Sequence, residues 1–157
     1  MNEQKIIDII SKGEYPADVL SNFYPREFSV DGVRCASMEG FLQSLKTRNI
    51  STQKKICALT GKEAKNYFRH KWSNLRWKLT GNLYWQGRKL KRIGKEYEAL
   101  ITHAYDEMGK DEIFKKALRA TENATLTHSI GKQSKRKTVL TEKELITQLT
   151  RLRDTLE

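Results

Sequence analysis

The segment REFSVDGVRCASMEGFLQSLK, Arg26 to Lys46, constrains the fold more than any other part of the chain. Asp31-Gly32 lies between two runs of alternating apolar residues, the pattern of a β-hairpin closed by a tight turn. Ser37 follows at once and suits the N-cap of a helix spanning roughly 38–48. A two-stranded hairpin is only marginally stable in water, so it must pack against other elements. The remaining patterns are chiefly helical. The expected fold class is therefore mainly α with a few short β-strands, an α+β arrangement.

EQKIIDIISK carries apolar residues at 6, 7, 9 and 10 and reads as a short amphipathic helix, broken by GEYPAD. Ser51 is read as the cap of a helix over TQKKICALT that stops at Gly61, and GKEAKNYFRHKW reads as helical. The region from Trp72 to Gly87 is aromatic, basic and irregular. From Arg88 to Glu107 the spacing of Leu90, Ile93, Tyr97, Leu100, Ile101, Ala104 and Tyr105 predicts a helix, with Met108 just beyond. DEIFKKALRAT predicts another, with acids at the favourable end of its dipole. ATLTHSI reads as a short strand and GKQSKRK as a basic loop. Thr141 and Glu144 form a capping box for the last helix.

A chain of 157 residues suits one domain, 1–157, with a real core. The net charge of +11 favours anionic partners such as nucleic acid or nucleotides. Cys35 and Cys57 are too few for a disulfide framework, and His70, His103 and His128 lack metal-ligand spacing. No metal and no cofactor is implied. No secretory signal and no membrane-spanning run is read, so a reducing cytoplasm is expected.

Within the capped helix, Glu39, Gln43 and Lys46 fall within about 60° of one another at ~100° per residue. Met38, Phe41, Leu42 and Leu45 form the apolar face. The polar stripe borders that face and would occupy the rim between core and solvent. Gly40, Ser44 and Thr47 lie farthest from the apolar residues and suit either solvent or a tight approach. An ordinary solvated helix face is the competing reading of the stripe.

The blocks LSNFYP at 20–25, Asp31-Gly32, Ser37-x-Glu39 and Lys46 resemble the pattern of the YbiA-like, or NADAR, family. The likeness continues through GKEAK, LYWQGR, ALRAT and THSIG, and so covers most of the chain. Leu126 to Gly131 stand where many members carry a Trp-Gly pair, which marks a divergent subgroup. The resemblance implies a compact, mainly helical fold and an N-glycosidase. The implied substrates are an ADP-ribosylated base, guanine in nucleic acid foremost, or phosphoribosylated intermediates of riboflavin synthesis. Glu39 and Lys46 are then the catalytic pair. Ser21, Asn22, Phe23, Tyr24, Gln43, Trp85, Gln86, Gly87 and His128 are the expected substrate-binding residues.

Breaking an N-glycosidic bond builds positive charge at the anomeric carbon, and the departing nitrogen needs a proton. In one route Glu39 stabilises the cation or activates water while Lys46 holds a phosphate or hydroxyl. In the other, Lys46 attacks the anomeric carbon, passes through a Schiff base and is released by water, with Glu39 moving protons. The second route needs a depressed lysine pKa. Aromatics interleave with Arg and Lys from Arg69 to Lys89, as a stacking and phosphate surface needs, with tryptophans in the core as the competing reading; the LYWQGR block of the resemblance makes Trp85 the candidate stacking ring. A non-catalytic module for ADP-ribose or nucleic acid is the alternative outside enzymology.

Overall fold

The chain is described by a computed structural model covering residues 3–156. Its first fixed point is the Asp31-Gly32 turn, where both residues take positive φ, 48° and 79°. Positive φ at both central positions is what a two-residue hairpin turn needs. The turn joins β2 (Phe28–Val30) to β3 (Val33–Cys35), with Val30 opposite Val33. Alternate side chains of the hairpin are buried and exposed, so one face enters the core.

Helix α2 (Met38–Ser44) follows directly. Two of its first N–H donors, those of Glu39 and Gly40, have partners outside the helix ladder. Ser37 Oγ accepts from Gly40 N at 3.0 Å and donates to the Leu59 carbonyl at 2.8 Å. Glu39 N donates to the Asn22 carbonyl at 3.0 Å, which docks the LSNFYP segment onto the helix start. The helix is shorter than 38–48, ending at Ser44.

The small residues of α2 serve a tight approach, not solvent. Gly40, Ser44 and Thr47 are all buried. A Cβ on Gly40 would lie 2.6 Å from the Leu59 carbonyl oxygen and 2.9 Å from that of Ile56. Helix α3 (Ile50–Cys57) therefore presses its C-terminal carbonyls against α2. Gly40→Ala is expected to destabilise the fold by about 1–3 kcal/mol, read as a lower urea midpoint. An unchanged midpoint would mean that the two helices have room to separate.

Five expectations are revised. Residues 3–12 do not form a helix: β1 (Ile6–Asp8) pairs in parallel with β6 (Thr125–Thr127), Ile6 opposite Thr125. Ile7 and Ile9 are buried while Ile6 is 66% exposed, so a period of two decides the segment. The region from Trp72 is regular: α5 (Trp72–Thr80), ended by left-handed Gly81, leads into β4 (Asn82–Trp85). Arg88 to Lys91 is β5, the antiparallel partner of β4, and the following helix α6 starts only at Lys95 and runs to Met108. Between α3 and α5, helix α4 stops early, at Gly61–Asn66. Asn49, not Ser51, caps α3, accepting from Thr52 N at 2.9 Å.

Helix α1 (Ala17–Leu20) and helix α7 (Glu112–Ala120) pack together on one side. The capping box of α8 (Glu142–Asp154) forms as read. Tyr97, Ile101, Ala104, Tyr105 and Met108 of α6 are buried in a hydrophobic cluster that gathers side chains from nearly every element. Buried Arg92 reaches Glu144 with two nitrogens, at 2.5 and 3.2 Å, and ties the β4–β5 hairpin to α8. Three two-stranded sheets on a mostly helical frame make an α+β fold. Among the described residues no helix is long and apolar enough to cross a membrane.

Candidate active site

Glu39 and Gln43 on α2, and Lys46 two residues past its end, are each half-buried. Gln43 Nε2 donates to Glu39 Oε1 at 2.9 Å. Gln43 Oε1 is buried and has no donor among the described residues. A buried acceptor without a partner is costly, so this oxygen calls for a hydroxyl or N–H from a bound molecule. Turning the amide over would instead let Oε1 accept from a protonated Glu39 carboxyl.

The two ionisable groups are both displaced towards their neutral forms. Burial raises the Glu39 pKa, against the Gln43 hydrogen bond and the charges of Lys46, Lys65 and His128. Burial likewise pushes Lys46 down to about 8; the Glu39 charge opposes this, while Lys78 and Lys132 add to it. The ammonium donates to Asn74 Oδ1 at 2.9 Å and stands 5.9 Å from the Phe68 ring and 6.0 Å from the Trp77 ring. Asn74 and Trp77 come from the inner face of α5. At pH 7 about a tenth of a lysine with such a value is the free amine, a population large enough to act as a nucleophile.

Asn22 is held from two sides. Tyr105, buried in the core, donates its hydroxyl to Asn22 Oδ1 at 2.7 Å. That leaves the Asn22 Nδ2 hydrogens without a protein acceptor among the described residues. Phe23 is half-buried, and Lys65 Nζ lies 5.6 Å from its ring, so it forms part of the rim. His128 arrives from the end of β6. Its Nδ1 meets the Ile9 carbonyl at 2.6 Å, so Nδ1 carries the hydrogen and Nε2 is left as an acceptor when the ring is neutral. A Cβ on Gly131 would come within 2.5 Å of His128 Cδ2, so the following loop is fitted closely to the ring.

Other expected binding residues lie elsewhere. Ser21 Oγ accepts from Phe23 N at 3.2 Å and shapes the turn. Tyr24 packs against the core beneath the Arg26 guanidinium, 4.8 Å from its ring. Trp85 is 5% exposed, stacks edge-on against Phe41 at 5.1 Å, and donates to Asp31 Oδ2 at 2.8 Å. Phe41 is two residues from Glu39, about 200° around the helix, so Trp85 packs behind α2. Gln86 and Gly87 form the β4–β5 turn with φ of 49° and 84°. Gln86 N donates to Gln53 Oε1, and Gln53 Nε2 in turn donates to the Ser44 and Tyr84 carbonyls. This block is thus a brace for α2, not a wall of the site.

Lys65, Asn74, Lys78, Tyr105 and Lys132 join the site without having been singled out as site residues. Lys65 stood within the GKEAK block and Lys132 within the basic loop. Asn74 and Trp77 share one face of a helix, a spacing that an aromatic-rich segment concealed. Among the described residues no cluster of three or more His, Cys, Asp or Glu side chains offers a metal site.

Residues 14–154 match the family described as Bacteriophage protein GP30.3. The chain belongs to this family. A relative of the GP30.3 family member is the 17.1 kDa protein of the Gp30-rIII intergenic region of Enterobacteria phage T4. The two are 36% identical over 152 residues, covering 96% of this chain and 98% of the phage T4 protein. The NMR structure of E. coli YbiA has the same fold, with a TM-score of 0.63 at 17% identity, over 99% of this chain and 87% of YbiA. The YbiA-like resemblance read from LSNFYP and SMEGFLQSLK is thereby borne out at the level of fold, now within the GP30.3 family.

Proposed function

We propose that this GP30.3 family protein is an N-glycosidase that removes ADP-ribose from an ADP-ribosylated base, guanine in nucleic acid foremost. The observation that carries this reading is the Glu39–Lys46 pair, a carboxyl with a raised pKa and an amine lowered to about 8 whose charges act on each other, seven residues apart at either end of α2. Paired groups moved in opposite directions suit proton donation and nucleophilic attack in one site. The cations around them, Lys65, Lys78 and Lys132, fit a substrate that brings phosphates. The YbiA-like fold supports the same reaction class.

In the covalent route the neutral Lys46 Nζ forms a bond to the anomeric carbon as that carbon's bond to the base nitrogen breaks. The bonding pair leaves on the base, and the protonated Glu39 carboxyl supplies the proton. Glu39, now ionised, takes a proton from the new ammonium. The nitrogen lone pair then opens the ribose ring, whose oxygen is protonated, to give a Schiff base. Water adds to the C=N bond, and collapse returns the amine and a free ribosyl aldehyde that recloses. Gln43 and Asn22 offer one acceptor and one donor to hold sugar hydroxyls or the base edge.

Incubating the protein with an oligonucleotide carrying ADP-ribosylated guanine is expected to release ADP-ribose, detected by mass spectrometry. Borohydride added during turnover is expected to leave a reduced ribosyl adduct on Lys46. Release without any adduct would favour the route in which water attacks directly. Phosphoribosylated riboflavin intermediates form the second substrate arm, since the same ring of cations suits a lone phosphate. Product from neither arm, with folded protein, would leave the non-catalytic module as the reading.

A further inference from the structure

Helix α5 has two faces, and only one belongs to the site already described. Asn74 and Trp77 point inward to Lys46. Trp72, Leu75 and Leu79 are 63%, 47% and 70% exposed. With Arg76 they fall within an arc of about 100° on the opposite side of the helix. Large apolar side chains gathered on one exposed face mark an interaction surface.

The charge around that face says what covers it. From Ala64 to Lys95 the sequence holds ten Lys and Arg and no Asp or Glu. Arg88 pairs with Glu96 and Arg92 with Glu144, and among the described residues the other eight have no carboxylate within 4.0 Å. Arg69 and Lys71 precede Trp72 and are exposed, with Lys71 Nζ 3.8 Å from the Tyr67 ring. A second copy of the chain would bring another +11 onto the same cations and be repelled. A polyanion with flat apolar faces satisfies both halves of the surface, and a nucleic acid strand has that chemistry. A base can stack on an exposed indole only when it is free of its own neighbours, which requires a single strand.

We propose that the outer face of α5, with Trp72 as stacking platform and Arg69, Lys71 and Arg76 as phosphate contacts, docks single-stranded nucleic acid next to the reacting base. The proposal rests on the glycosidase reading for the identity of that base, and on α5 alone for the strand. The surface lies about one helix diameter, ~10 Å, from the Lys46 amine. A modified base at Lys46 would therefore have its neighbouring nucleotides laid across Trp72. This names the substrate as a strand and not a free metabolite.

Fluorescence anisotropy with an unmodified, fluorescein-labelled single strand tests it without any chemistry. Wild type is expected to bind the single strand more tightly than a duplex of the same sequence. Trp72→Ala should weaken binding about 10-fold. Arg76→Ala should flatten the slope of log affinity against log salt by about one. Trp72 is exposed, so its removal leaves the core intact, and far-ultraviolet circular dichroism verifies this. Glu39→Gln should bind the strand as wild type does, so loss of turnover and loss of docking are read separately. Equal binding by Trp72→Ala and wild type, or preference for duplex, would overturn the proposal. So would a drop in mass by light scattering on Leu79→Asp, which would make the face a self-association surface.

Discussion

Glu39→Gln is expected to lower turnover by about 10²–10⁴-fold, the usual contribution of a positioned acid or base. The same variant should be more stable than wild type near neutral pH. Burial makes the folded chain hold the Glu39 proton more tightly than the unfolded chain does. Between the unfolded value and the raised folded value the native state therefore binds more protons, and stability falls as pH rises through that window. Above it, the ionised carboxylate is a standing cost that glutamine avoids. The gap in Tm between variant and wild type should open from about pH 4 upward, where an ordinary carboxyl begins to ionise. A gap that does not change with pH would mean that the Glu39 carboxyl is not desolvated, and the acid role would fail with it.

Lys46 carries the second large effect. Lys46→Arg keeps the charge and the reach to Asn74 but cannot supply a free amine, since a guanidinium stays protonated. Turnover is expected to fall by about 10³-fold or more, with the borohydride adduct abolished. The pH dependence follows from the two displaced groups. With Glu39 needed as acid and Lys46 as free amine, the rate climbs to the raised Glu39 value, stays level, and falls above about 8. In Glu39→Gln the falling limb should vanish, and the residual rate should climb and then level near or below pH 8. The shift is downward because the Glu39 charge, which raises the Lys46 value, is gone. A Lys46→Arg variant retaining a tenth of wild-type turnover would reduce the lysine to a phosphate anchor.

Local chemistry could be read from the residues, and long-range pairing could not. The Asp31-Gly32 turn, the Ser37 cap and the Thr141–Glu144 box each complete a hydrogen-bonding pattern within a few residues, and all three stand. The first strand did not, because IIDII satisfies either period until Thr125 to Thr127 supply its partner. The stripe of Glu39, Gln43 and Lys46 lies where its angles put it, on the rim. Trp85 departs from its expected place for a related reason. Tryptophans beside arginines look alike in sequence whether buried or exposed, and the exposed one proved to be Trp72. Tyr105 disappeared into an apolar helical pattern, since nothing local announces that its hydroxyl holds Asn22.

The parallel pairing of β1 with β6 bears on the order of events during synthesis. His128 hydrogen-bonds the Ile9 carbonyl across 119 positions of sequence, and Thr125 N closes on the Lys5 carbonyl. Helix α2 leaves the ribosome early, yet the imidazole whose charge acts on Glu39 emerges only when most of the chain has been translated. A nascent chain released before Thr125 would carry Glu39 and Lys46 but neither that ring nor the Lys132 loop. On the proposed reaction, competence would then arrive as a single late event, when the β1–β6 pairing closes.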